Sequence, residues 1–166
     1  MIIRSEMKSD VEAIREVTEA AFKDHPYSHQ TEQFIIVALR AANALSVSLV
    51  AEIDGQVAGH IGFSPAVISD GSLDWYGVGP VSVLPVHQKC GIGSSLVREG
   101  LAAVKSMGGK GCVLVGDPGF YGRFGFRNDP NLILDGVPRE GFLALPLDEY
   151  GARGTVVFHE GFSATC

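Results

Sequence analysis

Apolar and polar positions change period several times along the chain, and the changes mark out its elements. Residues 1–4 open with a short apolar run that reads as a strand. Ser9 followed three residues later by Glu12 has the form of a capping box. Behind it Val11, Ile14, Val17, Ala21 and Phe22 recur at helical spacing, which predicts a helix over residues 10–22. His25-Pro26-Tyr27 breaks it. Residues 31–42 return to helical spacing, with Phe34, Val37 and Ala38 on one side. Strand-like runs then cover residues 46–53, 56–68 and 73–84, joined by the turn signals Asp54-Gly55 and Asp70-Gly71, so an antiparallel meander is predicted. Gly77, Gly79 and Pro80 fall inside the third run. Proline cannot donate to a sheet ladder, so a bulge or a local loss of pairing is expected near Pro80.

Further on, Ile92, Leu96, Gly100, Ala103 and Met107 make one stripe of a long helix, with Val97, Leu101 and Val104 beside it. Gly108-Gly109 ends that helix. Residues 111–115 form a short, continuously apolar run, as a buried strand requires. Strand, crossover helix and strand in this order predict that residues 111–115 run parallel to residues 81–84. Residues 117–126 read as a turn with a short helix, and residues 132–134, 142–145 and 155–158 as weaker strands. Together these predict an α/β (α+β) chain, a mixed sheet flanked by helices, forming a single domain over residues 1–166.

Composition narrows the classes. With 46% hydrophobic and 19% charged residues the chain is expected to fold compactly rather than stay disordered. No run of about 18 apolar residues is present to span a membrane. The start, MIIRSEMKSD, turns polar too soon for a signal peptide. Cys90, Cys112 and Cys166 make no CxxC pair, which fits a reduced, cytoplasmic protein. A formal net charge of -6 argues against nucleic acid as a main partner. It is compatible with a cationic small substrate, although ordinary solubility is the favoured explanation. His25 and His29 are four apart, but Pro26 between them prevents a shared helical face, so no metal site is expected there.

The candidate chemistry lies where the third strand of the meander meets the long helix. Val81-Ser82-Val83 leads through Pro85 into Gln88-Lys89-Cys90-Gly91-Ile92-Gly93-Ser94. A strand feeding a glycine-rich turn at a helix start suits an anion, because the first helical amides have no intrahelical partner and the helix dipole favours negative charge. Two nucleotide cradles fail on spacing. A P-loop needs Lys-Ser/Thr after its second glycine, where this chain has Ser94-Ser95. A dinucleotide fingerprint needs a third glycine where this chain has Leu96.

The spacing Gln88-x-x-Gly91-x-Gly93 after a strand resembles the pyrophosphate motif of the GNAT superfamily, the acetyl-CoA-dependent N-acetyltransferases, written Gln/Arg-x-x-Gly-x-Gly/Ala. Tyr121-x-x-x-Gly125-Phe126 is similar to that family's tyrosine followed by Gly-Phe, and the predicted order of elements matches as well. The resemblance implies a centrally splayed sheet with acetyl-CoA as cosubstrate. It implies that the pantetheine arm pairs with the backbone of Val81, Ser82 and Val83. The pyrophosphate would sit on the amides of Gln88, Lys89, Cys90, Gly91, Ile92, Gly93 and Ser94, and Tyr121 would be the general acid toward the departing thiolate. Many members have an asparagine and a full helix before the tyrosine. This chain has only Gly116-Asp117-Pro118-Gly119-Phe120 there, with Asp117 as the nearest polar substitute.

The implied reaction moves an acetyl group to a primary amine by direct attack in a ternary complex. A thioester attacked by an amine needs a neutral nucleophile, a donor for the developing oxyanion, and a proton for the thiolate. The backbone amide near Val83 is the candidate oxyanion donor. A thiol near pKa 8.5 and a phenol near 10 put the last transfer within roughly 2 kcal/mol of thermoneutral. Candidates for the base are His60, Glu52, Asp74 and Asp117, or a chain of waters. Lys89, Arg98 and Arg123 are candidates to meet CoA phosphates, against a default of solvated surface charge. Trp75, Tyr76, Phe120 and Phe124 are pocket candidates against a default of core packing. Two other readings are a CoA-binding sensor without turnover and a transferase using a different acyl-CoA. An amine-bearing small molecule or peptide is the expected acceptor, chosen by residues 21–31 and 136–154. A monomer and a homodimer both remain open.

Overall fold

A computed structural model describes residues 1–166. Its strands are β1 (Ile2–Ser5), β2 (Val47–Ile53), β3 (Gln56–Ile68), β4 (Trp75–Val83), β5 (Gly111–Val115), β6 (Leu132–Ile133), β7 (Phe142–Pro146) and β8 (Gly154–Phe158). The α-helices are α1 (Val11–Phe22), α2 (Glu32–Ala41), α3 (Ile92–Ser106) and α4 (Pro118–Tyr121). The sheet runs in the order β1-β2-β3-β4-β5-β7, and β8 pairs with the far end of β3 and with β6. Only β4 with β5 and β6 with β8 are parallel.

Alternation along the strands decides which helix covers which face. Leu49 and Ala51 of β2 and Ile61 and Phe63 of β3 pack with Ile92, Leu96, Val97 and Val104 of α3. Val50, between Leu49 and Ala51, points the other way and packs with Ile14 of α1 and Ile36 of α2. A second cluster, around Ala66, Trp75, Val113 and Val156, fills the far end of that same face. Gly100 of α3 is a close approach: a Cβ there would come within 2.3 Å of the Phe63 ring. This contact brings the helix down onto the sheet and fixes where its N-terminus emerges.

Several expectations change in the structure. The cap of the first helical segment is made by Asp10, whose carboxylate accepts from Met7 N at 2.7 Å, and not by Ser9 and Glu12. Arg4 also binds that carboxylate, at 2.7 Å, and this pairing holds the acid below the usual carboxylate range. The buried face of α2 carries Ile36 and Leu39, while Val37 is exposed. On α3 the stripe stops short of Met107, which is exposed.

The correction that matters most concerns the parallel pair. β5 runs beside residues 75–77 of β4, with Trp75 opposite Gly111 and Gly77 opposite Val113, and not beside residues 81–84. Beyond Gly77 the two strands part, because β5 stays paired with β7 through Val115 while β4 stays paired with β3 through Val83. The expected irregularity near Pro80 is present as a register shift between Ile61 and Phe63 of β3. A V-shaped opening therefore lies between the two central strands, with the start of α3 above it.

Candidate active site

The opening is one end of a large cleft of about 1830 Å³. Val81 and Val83, residues 87–89 and 91–94, Asp117 and Tyr121 line it on one side. The ends of α1 and α2, Leu134, Val137 and residues 155–160 line the other.

The cradle is built from main-chain groups. Leu84 N donates to Ala58 O at 2.8 Å, so by antiparallel alternation the amides and carbonyls of Val81 and Val83 point away from β3, into the opening. Ser82, between them, is buried on the opposite face beside Thr18 and does not line the cleft with its side chain. Gln88 Nε2 donates to Val83 O at 3.1 Å, tying the turn to the strand end. Gln88 N is itself bonded to Pro85 O at 3.3 Å, and the first α3 amide with a partner is Ser95 N, on Gly91 O at 3.0 Å. The intervening amides of Lys89, Cys90, Gly91, Ile92, Gly93 and Ser94 donate to nothing in the protein. Gly91 adopts φ 87° and Lys89 φ 63°, which turns successive N–H groups inward as an anion-binding nest does. A Cβ on Gly93 would meet Phe120 at 3.6 Å and Val83 at 3.9 Å, both ordinary contact distances, so the protein itself does not require glycine there. Cys90 is exposed, and its Sγ lies 3.5 Å from Gln88 O.

Tyr121 enters the cleft from α4. Pro118 starts that single turn, and Asp117 caps it by accepting from Gly119 N at 3.0 Å. The tyrosine ring lies over Gly116, where a Cβ would come within 2.5 Å of it, and packs edge-on against Phe120 and Phe126. Burial, and then the nearby Asp117 carboxylate, push the phenol up to about 12, and no hydrogen bond from the protein acts on it.

Of the four candidate bases only Asp117 lines the cleft. His60 is fully buried under the helices, with Nε2 2.7 Å from Ser48 Oγ; burial holds it down to about 4, with Arg40 adding to the shift and Glu6 opposing it. Glu52 pairs with Arg4 at 2.8 Å near the β1 edge. Asp74 precedes β4 at the end opposite the opening, and its carbonyl accepts from Lys110 N at 2.7 Å. Arg123 lines the cleft and sits 5.1 Å over the Phe120 ring, whereas Arg98 lies outside it over Phe124. Trp75 is core, at 2% exposure, and Phe120 is the one expected pocket aromatic that reaches the cleft.

The far wall differs from expectation as well. Residues 21–28 contribute to it, but of residues 136–154 only Val137 does. Most of that side comes from residues 155–160 with Phe162 and Ser163. Sequence reasoning also passed over Glu32 and Ser28. An acidic residue at a helix start is too common a pattern to mark Glu32, and Ser28 is one polar residue among several within residues 21–31.

Residues 2–128 match the family described as Acetyltransferase (GNAT) domain. The chain belongs to the GNAT acetyltransferase family. A curated GNAT relative, the uncharacterized N-acetyltransferase YhbS of Escherichia coli K12, is 34% identical over 128 residues, 76% of this chain and 74% of its own. Among solved structures, a GNAT family acetyltransferase from Brucella melitensis in complex with acetyl-CoA is 49% identical with a TM-score of 0.86, covering 97% of each chain. The E. coli YhbS structure in complex with CoA has a TM-score of 0.87 at 30% identity, covering 99% of this chain and 93% of its own. The splayed sheet and the strand-turn-helix cradle are thus those of a GNAT acetyltransferase, an enzyme class that moves acetyl groups to amines. No helix is long and apolar enough to cross a membrane.

Proposed function

We propose that this GNAT enzyme transfers the acetyl group of acetyl-CoA to the nitrogen of a primary amine, by direct attack in a ternary complex, with the whole chain acting as one catalytic domain in a reducing cytoplasm. The observation that carries this reading is the continuity of three features in one cleft. The open edge of Val81 and Val83 leads to the unpartnered amides of residues 89–94, and Tyr121 faces the same opening. The diphosphate of CoA suits the amides, its pantetheine amides suit the strand edge, and the thioester then falls near Tyr121. The solved relatives that hold acetyl-CoA and CoA support the same cosubstrate.

The chemistry follows from these groups. The amine lone pair attacks the thioester carbon, and a C–N bond forms as the carbonyl becomes an oxyanion. The Val83 amide, aimed into the opening, is the donor for that charge. The C–S bond then breaks. The nitrogen loses its extra proton to solvent, and Tyr121 gives a proton to the leaving thiolate and regains one from solvent.

A phenol at about 12 is a weaker acid than a free one. Transfer to a thiolate near 8.5 is uphill by roughly 5 kcal/mol, still well below the ~16 kcal/mol barrier of a turnover near 10 per second. The same raised pKa keeps Tyr121 in its proton-bearing form at neutral pH. That form is lost only as pH rises through about 12, so no falling limb of kcat due to Tyr121 is expected between about pH 7 and 10.

The test is release of CoA thiol over a panel of amines. Tyr121→Phe should lower kcat by about 100-fold with acetyl-CoA affinity retained. Unchanged turnover would remove the tyrosine from the mechanism.

A further inference from the structure

Resting on the transferase reading, the far wall of the cleft points to the kind of amine accepted. We propose that Glu32 holds a second positive charge of the acceptor, so that the enzyme prefers small aliphatic diamines to monoamines.

Glu32 is the first residue of α2. Ile36, one turn on, is buried in the core with Ile14 and Val50 and anchors the helix, while Glu32 and Ile35 share the stripe that lines the cleft. Ser28, also in the cleft wall, donates its hydroxyl to Glu32 Oε1 at 2.5 Å, a short charge-assisted bond that orients the carboxylate. Oε2 is shut off from solvent and has no partner in the protein. A negative side chain in the first turn of a helix is favoured by the dipole, which explains the charge but not the orphaned oxygen. A carboxylate oxygen without a donor is costly, and a cation supplied from the cleft relieves that cost. The last torsion of a glutamate is broad, so a turn of the carboxylate, with the Ser28 hydroxyl following or releasing it, presents this oxygen to a ligand.

The fixed cations of the cleft are confined to one side, where Asp117 accompanies them. The only lysine and arginine in its lining, Lys89 and Arg123, stand on the cradle side. The side facing Glu32 carries Ile35, Leu134, Val137, Phe158 and Phe162, with His25, His159 and two further acids, Asp135 and Glu160, and it has no lysine or arginine to neutralise the carboxylate.

Glu32 serves this reaction only if its partner is not the reacting nitrogen. A carboxylate paired with that nitrogen would stabilise the protonated, non-nucleophilic form. Paired with a second ammonium further along the same molecule, it fixes the substrate and leaves the nucleophile free. An apolar wall between the two sites suits a methylene chain. An acceptor carrying its own carboxylate would meet Glu32 with like charge.

Calorimetric titration into CoA-saturated enzyme tests this without turnover, using 1,5-diaminopentane against pentylamine. The diamine should bind at least tenfold more tightly to the wild type, and Glu32→Gln should abolish that preference, with Glu32→Ala as the second variant. Equal affinity of the two amines for the wild type, including no binding of either, overturns the proposal. A preference that survives in both variants overturns it as well. CoA-thiol release in parallel separates this outcome from failure of the transferase reading. Equal turnover of both amines would leave the transferase reading intact and sink the role of Glu32. Selective diamine binding with no thiol release would do the reverse.

Discussion

The two sides of the cleft are built from different materials. The cradle side consists of backbone: the edge of β4, the amides of residues 89–94 and the positive-φ turn at Lys89 and Gly91. The far side consists of side chains from segments distant in sequence, namely the ends of α1 and α2, the stretch around Leu134, and residues 155–163. Backbone recognition suits a cosubstrate shared by a whole family, because it depends on chain path and tolerates most side chains. Side-chain recognition can be altered residue by residue, which suits an acceptor that differs between members. The family match stops at residue 128, so much of the far wall lies outside it.

Substitutions can break or sharpen this contrast. The largest effect, beyond loss of the Tyr121 hydroxyl, is expected at Gly116. A methyl there would lie within 2.5 Å of the Tyr121 ring and push it from its place. Gly116→Ala should lower kcat by at least about tenfold, since small displacements of a reacting group weaken catalysis steeply. Acetyl-CoA affinity should change little, and single-turnover kinetics alongside calorimetry separate the two.

Gln88→Ala should have a smaller effect. It removes one hydrogen bond to Val83 O and loosens the join between turn and strand. A loss of about fivefold in acetyl-CoA affinity is expected, matching about 1 kcal/mol for one such bond, with the acceptor KM unchanged. A change confined to the acceptor KM would mean that the two sides are not separate.

The smallest effect on either side is expected at His60, which lies outside the cleft. Its pKa is depressed to about 4 in the folded chain, so the neutral ring is the stabilised form. That stability is fully present above the unfolded value near 6.5 and is lost as pH falls toward 4. His60→Leu should flatten the acid side of a urea-midpoint profile measured against pH, while kcat at neutral pH stays near that of the wild type.

How much could be read from the sequence follows the same division. Gly91, Pro80 and the apolar runs around them carry the backbone constraints that make the cradle, and each constraint leaves a residue type at a fixed spacing. The splay beside Val81 to Val83 was expected, but the place of the parallel pairing was not: it sits at residues 75–77 instead of residues 81–84, with β5 held along its whole length by β7, whose pairing no local pattern announced. His60, Glu52 and Asp74 were reasonable bases by type, yet strand alternation and register send one into the core and two to other parts of the sheet. Glu32 and Ser28 were missed because the feature that singles them out is one unpartnered oxygen, a property of packing rather than of sequence.

Titration of acetyl-CoA into the wild type and into Gly91→Ala tests the backbone cradle most directly. Gly91 holds φ 87°, which an alanine adopts only at a cost of about 1–2 kcal/mol, and its Cβ would meet no protein atom within 4 Å, so the change acts on chain path alone. One-to-one binding by the wild type, weakened about tenfold in the variant, is the expected result. Equal affinity in the two proteins, or no binding by the wild type, would contradict a cofactor held by these amides.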